Sequence, residues 1–147
     1  MIIWLFGQPC SGKTTIAQVL KDKREIIGRP HLIDGDEFRE IFQNKKYGRE
    51  GRIDNIRKSV IVAKYMEHCG FTVICSFVTP YKSMRDEIRE TLGDVRMIYL
   101  DYQGERGREN YHVEDFDIPS SQEENFLHLR TSDLTLDSCI SKIKSIL

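Results

Sequence analysis

Residues Gly7-Gln8-Pro9-Cys10-Ser11-Gly12-Lys13-Thr14 read GxxxxGK[ST]. They lie between an apolar run, Ile2-Ile3-Trp4-Leu5-Phe6, and a stretch from Thr14 to Lys23 where Ile16, Ala17, Val19 and Leu20 recur at helical spacing. A strand buried on both faces, a glycine-bounded loop and a helix, in that order, are the context a phosphate cradle requires. The glycines let the chain curl so that successive amides and the helix N-terminus face phosphate oxygens. Lys13 then reaches the β/γ oxygens, and the Thr14 hydroxyl can ligate Mg²⁺. Gly7, Gln8, Pro9, Cys10, Ser11, Gly12, Lys13, Thr14 and Thr15 are accordingly expected to hold a nucleoside triphosphate with its Mg²⁺. Such a loop by itself does not separate a kinase from a GTPase or motor ATPase.

Outward from this loop, a second strand is expected at His31 to Ile33, followed by a short helix through Phe38 and Ile41. Ile53, Ile56, Val60, Ala63 and Met66 recur at three and four residues, and Gly70 stands where a helix ends, which predicts a long helix over 52–68. Phe71 to Val78 is a β-branched apolar run stopped by Pro80, and Val95 to Leu100 is another. Met84, Ile88 and Leu92 mark a polar helix ended by Gly93. The polar segment 101–121 reads as a loop or lid, Phe126 to Leu129 as a further strand, and Leu136, Ile140, Ile143 and Leu147 as a closing helix. Strands alternating with helices predict an α/β chain, a three-layer αβα P-loop NTPase fold with a parallel sheet of about five strands. Residues 1–147 are read as one domain, with ligands at the carboxyl ends of the strands.

The chain has 147 residues, enough to remove roughly two thirds of its unfolded surface from water. Twenty-two basic against 23 acidic residues leave a formal charge of −1, which argues against a duplex nucleic acid partner. The opening apolar run is too short to cross a bilayer and lacks a basic flank, so no membrane partner and a cytoplasmic location are expected. Cys10, Cys69, Cys75 and Cys139 form no CxxC pair; Cys69 and Cys75, set among apolar residues, read as buried small hydrophobes.

Three further segments bear on the chemistry. Asp34-Gly35-Asp36-Glu37-Phe38-Arg39 follows the second strand, so its charges lie at a carboxyl end, although both aspartates also suit a turn or an N-cap. Arg52 and Asn55, three apart at the start of the long helix, share the edge of its apolar stripe and can face a cleft, whereas Arg57 equally suits a solvated face. Cys75-Ser76-Phe77-Val78-Thr79-Pro80-Tyr81 ends the third strand, where Ser76 is either a ligand-side hydroxyl or a satisfied strand end.

In order and spacing these segments resemble the adenylylsulfate kinases, which phosphorylate the ribose 3′-hydroxyl of adenosine 5′-phosphosulfate with MgATP. The resemblance covers the GxxxxGKT loop, DGDxxR, RxxNIR and SFxxPY with Arg85-Asp86 behind it, and more thinly Asp117-x-Pro119 and Glu124-Asn125. It implies Lys13, Asp36 and Ser76 as catalytic residues, with Asp36 orienting or deprotonating the 3′-hydroxyl. It implies Arg39, Arg52 and Asn55 on the anionic end of the acceptor, Ser76 and Phe77 beside it, and Tyr47 stacked on its base, unless Tyr47 is an ordinary loop aromatic. Arg108 would pack on the ATP base, and a homodimer is implied as well. The lid is shorter than the family's: aligned through Asp117 and Pro119, Val113 stands where the family has a clamp phenylalanine, with Tyr111 and Phe116 nearby. Glu109, Glu114 and Asp115 add negative charge there. Alternatives are a kinase of another nucleotide conjugate such as cytidine diphosphoramidate, a nucleoside monophosphate kinase, and a non-catalytic ATP-binding regulatory module. Lys13, Thr14 and Asp36 standing together speak against the last.

Overall fold

Five short strands carry the core of this protein, whose computed structural model describes residues 1–107 and 109–147. They are β1 (Ile2–Phe6), β2 (Pro30–Asp34), β3 (Thr72–Phe77), β4 (Val95–Asp101) and β5 (Leu127–Arg130), all parallel in the order β2-β3-β1-β4-β5. The helices are α1 (Lys13–Asp22), α2 (Arg24–Ile27), α3 (Gly35–Ile41), α4 (Arg49–His68), α5 (Lys82–Leu92) and α6 (Leu136–Lys144), with a 3₁₀ turn at Glu109–Tyr111. Alternate β1 residues face opposite layers, as the strand period demands. Ile2, Trp4 and Phe6 pack with Phe38, Ile56, Val60, Ala63, Met84 and Ile88 from α3, α4 and α5. Ile3 and Leu5 pack with Ile16, Ala17, Leu20, Ile140 and Ile143 from α1 and α6.

The three-layer α/β reading and its five parallel strands are therefore found, with differences at the edges. α4 starts at Arg49 rather than 52, because Gly51 lets its first turn lie on the 44–47 loop; a Cβ there would run into the Lys46 carbonyl. α2 has too few residues to show a period and was not expected. Cys69 corrects the expectation of burial: it caps the C-terminus of α4 and is exposed, whereas Cys75 is wholly buried, which pushes its thiol far above the usual range. No helix among the described residues is long and apolar enough to cross a membrane.

Register positions the site. Phe6 is level with Phe77 of β3 and Tyr99 of β4, and Asp34 with Ser76, so the segments leaving β1, β2 and β3 emerge side by side. The sheet changes direction at β1, whose neighbours both come later in the chain, and a crevice opens at such a point.

Candidate functional site

The loop after β1 is shaped by two glycines. Gly7 takes a φ of 149°, and a Cβ there would collide with the Leu100 carbonyl on β4; Gly12, at φ 98°, turns the chain into α1. No side chain caps α1, in contrast to α3, whose first-turn amides at Asp36 and Glu37 donate to Asp34, and to α6, capped by Thr135. The amides opening α1 are thus left for an anion, with the positive end of the helix dipole behind them. Lys13 is buried beneath them and donates from Nζ to the carbonyls of Gly7 (3.0 Å) and Gln8 (2.7 Å) and to Ser11 Oγ (3.4 Å). Burial brings its pKa down to about 8. Ser11 is fixed from behind, its carbonyl accepting from Thr131 Oγ1 at 2.8 Å.

A cleft of about 880 Å³ runs from this loop to α3 and α4. Lys13, Thr14 and Thr15 line one end, and Asp36, Arg39, Tyr47, Arg52, Asn55 and Ser76 the other, with Phe77 between. Thr14 Oγ1 lies 3.4 Å from Asp34 Oδ2. A hydroxyl and a carboxylate facing a phosphate seat fit Mg²⁺, which takes few protein oxygens and the rest from phosphates and water. Asp34 is the N-cap of α3, the structural alternative, and it also lines the cleft. Asp36, two residues further, stays exposed and lines the cleft.

Arg52 and Asn55 do share the cleft edge of α4. Asn55 is 3% exposed; its amide donates to the Gly35 carbonyl at 3.4 Å, and its Oδ1 is the one buried side-chain polar atom among the described residues without a partner. Buried polar atoms left unpaired are costly, so this one calls for a donor from a ligand or water. Arg39 donates from Nη1 to the Lys46 carbonyl (2.9 Å) and to Asn44, and its guanidinium lies 4.8 Å from the Tyr47 ring, so it builds the 44–47 loop while facing the cleft. Ser76 is buried at the strand end. Phe77 stacks on Trp4 at 5.3 Å and meets Phe38 edge-on, so most of it belongs to the core. Arg57 pairs with Glu87 at 2.8 Å outside the cleft, the solvated-face reading.

The lid crosses the cleft and is tied down on both sides. The Gln8 amide pairs with the main chain of Val113 in both directions, donating to its carbonyl (2.9 Å) and accepting from its N–H (2.8 Å). Arg106 lies on the Tyr102 ring and donates to the Cys10 carbonyl at 2.7 Å. Further along, Asp117 donates from its N–H to the Pro80 carbonyl (2.8 Å) and accepts from the Lys82 amide (2.8 Å). Between these ties Asp115 reaches Arg52 at 3.2 Å. Behind them, fully buried Arg85 grips Glu124 through two bonds of 2.8 and 2.9 Å and donates to the carbonyls of Thr79, Pro80 and Asp117. A second cavity of about 400 Å³ opens between β4 and the lid and shares Pro9, Cys10, Arg106 and Val113 with the first.

The sequence-derived residues thus converge, except Arg108, which lies outside the described residues. The contacts of Arg106 with the loop and of Asp115 with Arg52 were not anticipated, since an aperiodic lid gives no pattern to place them by. Val113 has no ring to offer a base; it is buried against Gln8.

The family model for adenylylsulphate kinase matches residues 1–110. An adenylyl-sulfate kinase of Clostridium kluyveri is 38% identical over 104 residues, 69% of this chain and 52% of that protein. A cytidine diphosphoramidate kinase of Campylobacter jejuni is also 38% identical, over 101 residues, 68% of this chain and 59% of that one. The chain therefore spans little more than half the length of these curated relatives. The Mycobacterium tuberculosis APS kinase solved with AMPPNP and APS superposes with a TM-score of 0.84 over 99% of this chain and 95% of that one; at 19% identity this is likeness of fold.

Proposed function

This chain belongs to the adenylylsulphate kinase family, and from that premise we propose that it transfers the γ-phosphoryl group of ATP to the ribose 3′-hydroxyl of a nucleotide conjugate, of which adenosine 5′-phosphosulfate is the family's type. The carrying observation is that one cleft is lined by the Lys13–Thr14 phosphate seat and by Asp36, Arg52 and Asn55, whose Oδ1 has no partner, donor and acceptor ends of a single in-line transfer.

In this reading the loop amides and Lys13 hold the β- and γ-phosphates, with Arg106 tied to the loop beside them and Arg108 as the resemblance's candidate for the ATP base. Mg²⁺, held by Thr14 with Asp34 nearby, would neutralise charge on the phosphates. Asp36 orients the 3′-hydroxyl and receives its proton. The hydroxyl oxygen forms the new P–O bond as the bond from the γ-phosphorus to the bridging oxygen breaks, and ADP leaves with that electron pair. Arg39 and Arg52 hold the acceptor's anionic groups, as guanidinium forks do well. Little covalent work falls to the protein, so positioning and exclusion of water by the lid carry the rate.

The test is ADP release from MgATP with adenosine 5′-phosphosulfate, cytidine diphosphoramidate, nucleoside monophosphates or no acceptor. Acceptor-dependent turnover by wild type, lost in Lys13→Ala and lowered about 10²–10⁴-fold in Asp36→Asn, is expected. ATP binding without transfer to any nucleotide would refute the proposal in favour of a regulatory module.

A further inference from the structure

We propose that Asp115 is a resident of the acceptor subsite and that it selects a nucleotide whose distal group carries an N–H donor, a phosphoramidate, over one ending in sulfate. This rests on the transfer reading above and names the acceptor class for the same site.

Asp115 lies between two arginines beside the cleft that Arg52 lines. Its Oδ1 is 3.2 Å from Arg52 Nη1, which also donates to Tyr81 Oη at 3.1 Å, and its Oδ2 is 3.9 Å from Arg49 Nη1, whose guanidinium stacks 3.9 Å above the Tyr81 ring. With 52% of its side chain exposed, the pair contributes little to stability, so stability does not account for a carboxylate here. Nor does the backbone let it swing away. Val113 is held by both bonds to Gln8, Asp117 by Pro80, Lys82 and Arg85, and only residues 114–116 lie between. Phe116 is itself stacked on Tyr99 at 6.2 Å.

An acceptor whose anionic end reaches Arg52 must therefore share it with this carboxylate. A sulfate end offers oxygens alone, so lone pairs and charge meet Asp115 in repulsion. A phosphoramidate end carries the same single negative charge but adds an N–H₂: its oxygens take Arg52 while its N–H donates to Asp115. A site that accepts a substrate N–H discriminates strongly against the analogue lacking it.

Adenosine 5′-phosphosulfate and adenosine 5′-diphosphoramidate differ only in that distal group, and the cytidine diphosphoramidate controls for the base. Steady-state transfer to each would be measured for wild type and Asp115→Asn, with ATP binding checked in both. The expected result is a kcat/KM at least tenfold higher for the amidates in wild type. In Asp115→Asn that preference falls by tenfold or more, mainly through a lower KM for the phosphosulfate. A wild type that prefers the phosphosulfate, or a preference that Asp115→Asn leaves unchanged, overturns the assignment while leaving 3′-transfer in place. Transfer to none of the acceptors overturns the transfer reading and this assignment together.

Discussion

Replacing Gln8 by leucine should loosen the lid and leave the rest of the fold intact. Leucine keeps much the same volume, but neither bond to Val113 survives, and the N–H and carbonyl of a residue only 8% exposed lose their partners. At about 0.5–1.5 kcal/mol net per hydrogen bond, the closed lid loses about 1–3 kcal/mol. That corresponds to a roughly 5- to 150-fold larger open population. Trypsin reads it directly, because Arg106 lies in the segment that is released and cleavage tracks the open fraction when reclosing is fast. Hydrolysis of ATP in the absence of acceptor should rise as well, since an open lid admits water. The melting temperature should hardly move, as the opening is local. Gln8→Glu, which keeps an acceptor for the Val113 N–H but sets a carboxylate oxygen against its carbonyl, should be no better than leucine. Unchanged proteolysis together with unchanged hydrolysis in Gln8→Leu would show that the amide pair does not hold the lid.

The buried pair behind the lid should behave in the opposite way. Arg85→Met leaves a carboxylate that is 1% exposed with only its 3.2 Å bonds to Arg89 and should cost about 3 kcal/mol, lowering the melting temperature by roughly 6–12 °C, while Arg85→Met with Glu124→Leu should recover part of it. Burial pushes the Glu124 carboxyl up, but hydrogen bonds and charge from Arg85 and Arg89 outweigh it and hold it below the ordinary range. Its stabilisation is therefore present above the unfolded-state pKa and lost as pH falls through the folded one, so wild type should unfold at a lower pH than Arg85→Met in acid titration. Lys13 carries the reverse sign. With a pKa lowered to about 8, it is charged at neutral pH and neutral above it, so ATP affinity measured by calorimetry should fall as pH rises past about 8. Over the same interval the ATP-free protein should gain stability, because the unfolded lysine still holds its proton; pH-independent affinity would refute the burial of Lys13.

Much of this site is legible in the sequence because its residues work locally. GxxxxGKT acts through the amides of its own loop, and DGD through the turn it caps, so spacing alone brings Lys13, Thr14, Asp34 and Asp36 to one edge of the sheet. Arg52 and Asn55 follow from a helical period that also marks the core stripe. What escapes is side chain to distant backbone. Gln8 and Val113 are 105 residues apart and Arg85 and Glu124 are 39 apart, and no periodicity links either pair. Cys69 misled because Met66 and Phe71 lie near it in sequence, and nearby composition does not reveal that a residue caps an exposed helix end. The start of α4 was missed for a similar reason: the contact that lengthens it is with the Lys46 carbonyl, not with the core.

The Arg85–Glu124 grip also divides the lid into parts with different tolerance for change. Asp117 is fastened to buried Arg85, whereas among the described residues of the interval 102–112 the hydrogen bonds to the rest of the chain come from Gln103 and Arg106. Longer segments can therefore be spliced into that interval without disturbing the sheet. The roof over the cleft is an exchangeable cassette, which can be lengthened or replaced while Asp115, the phosphate seat and the strands beneath it stay as they are.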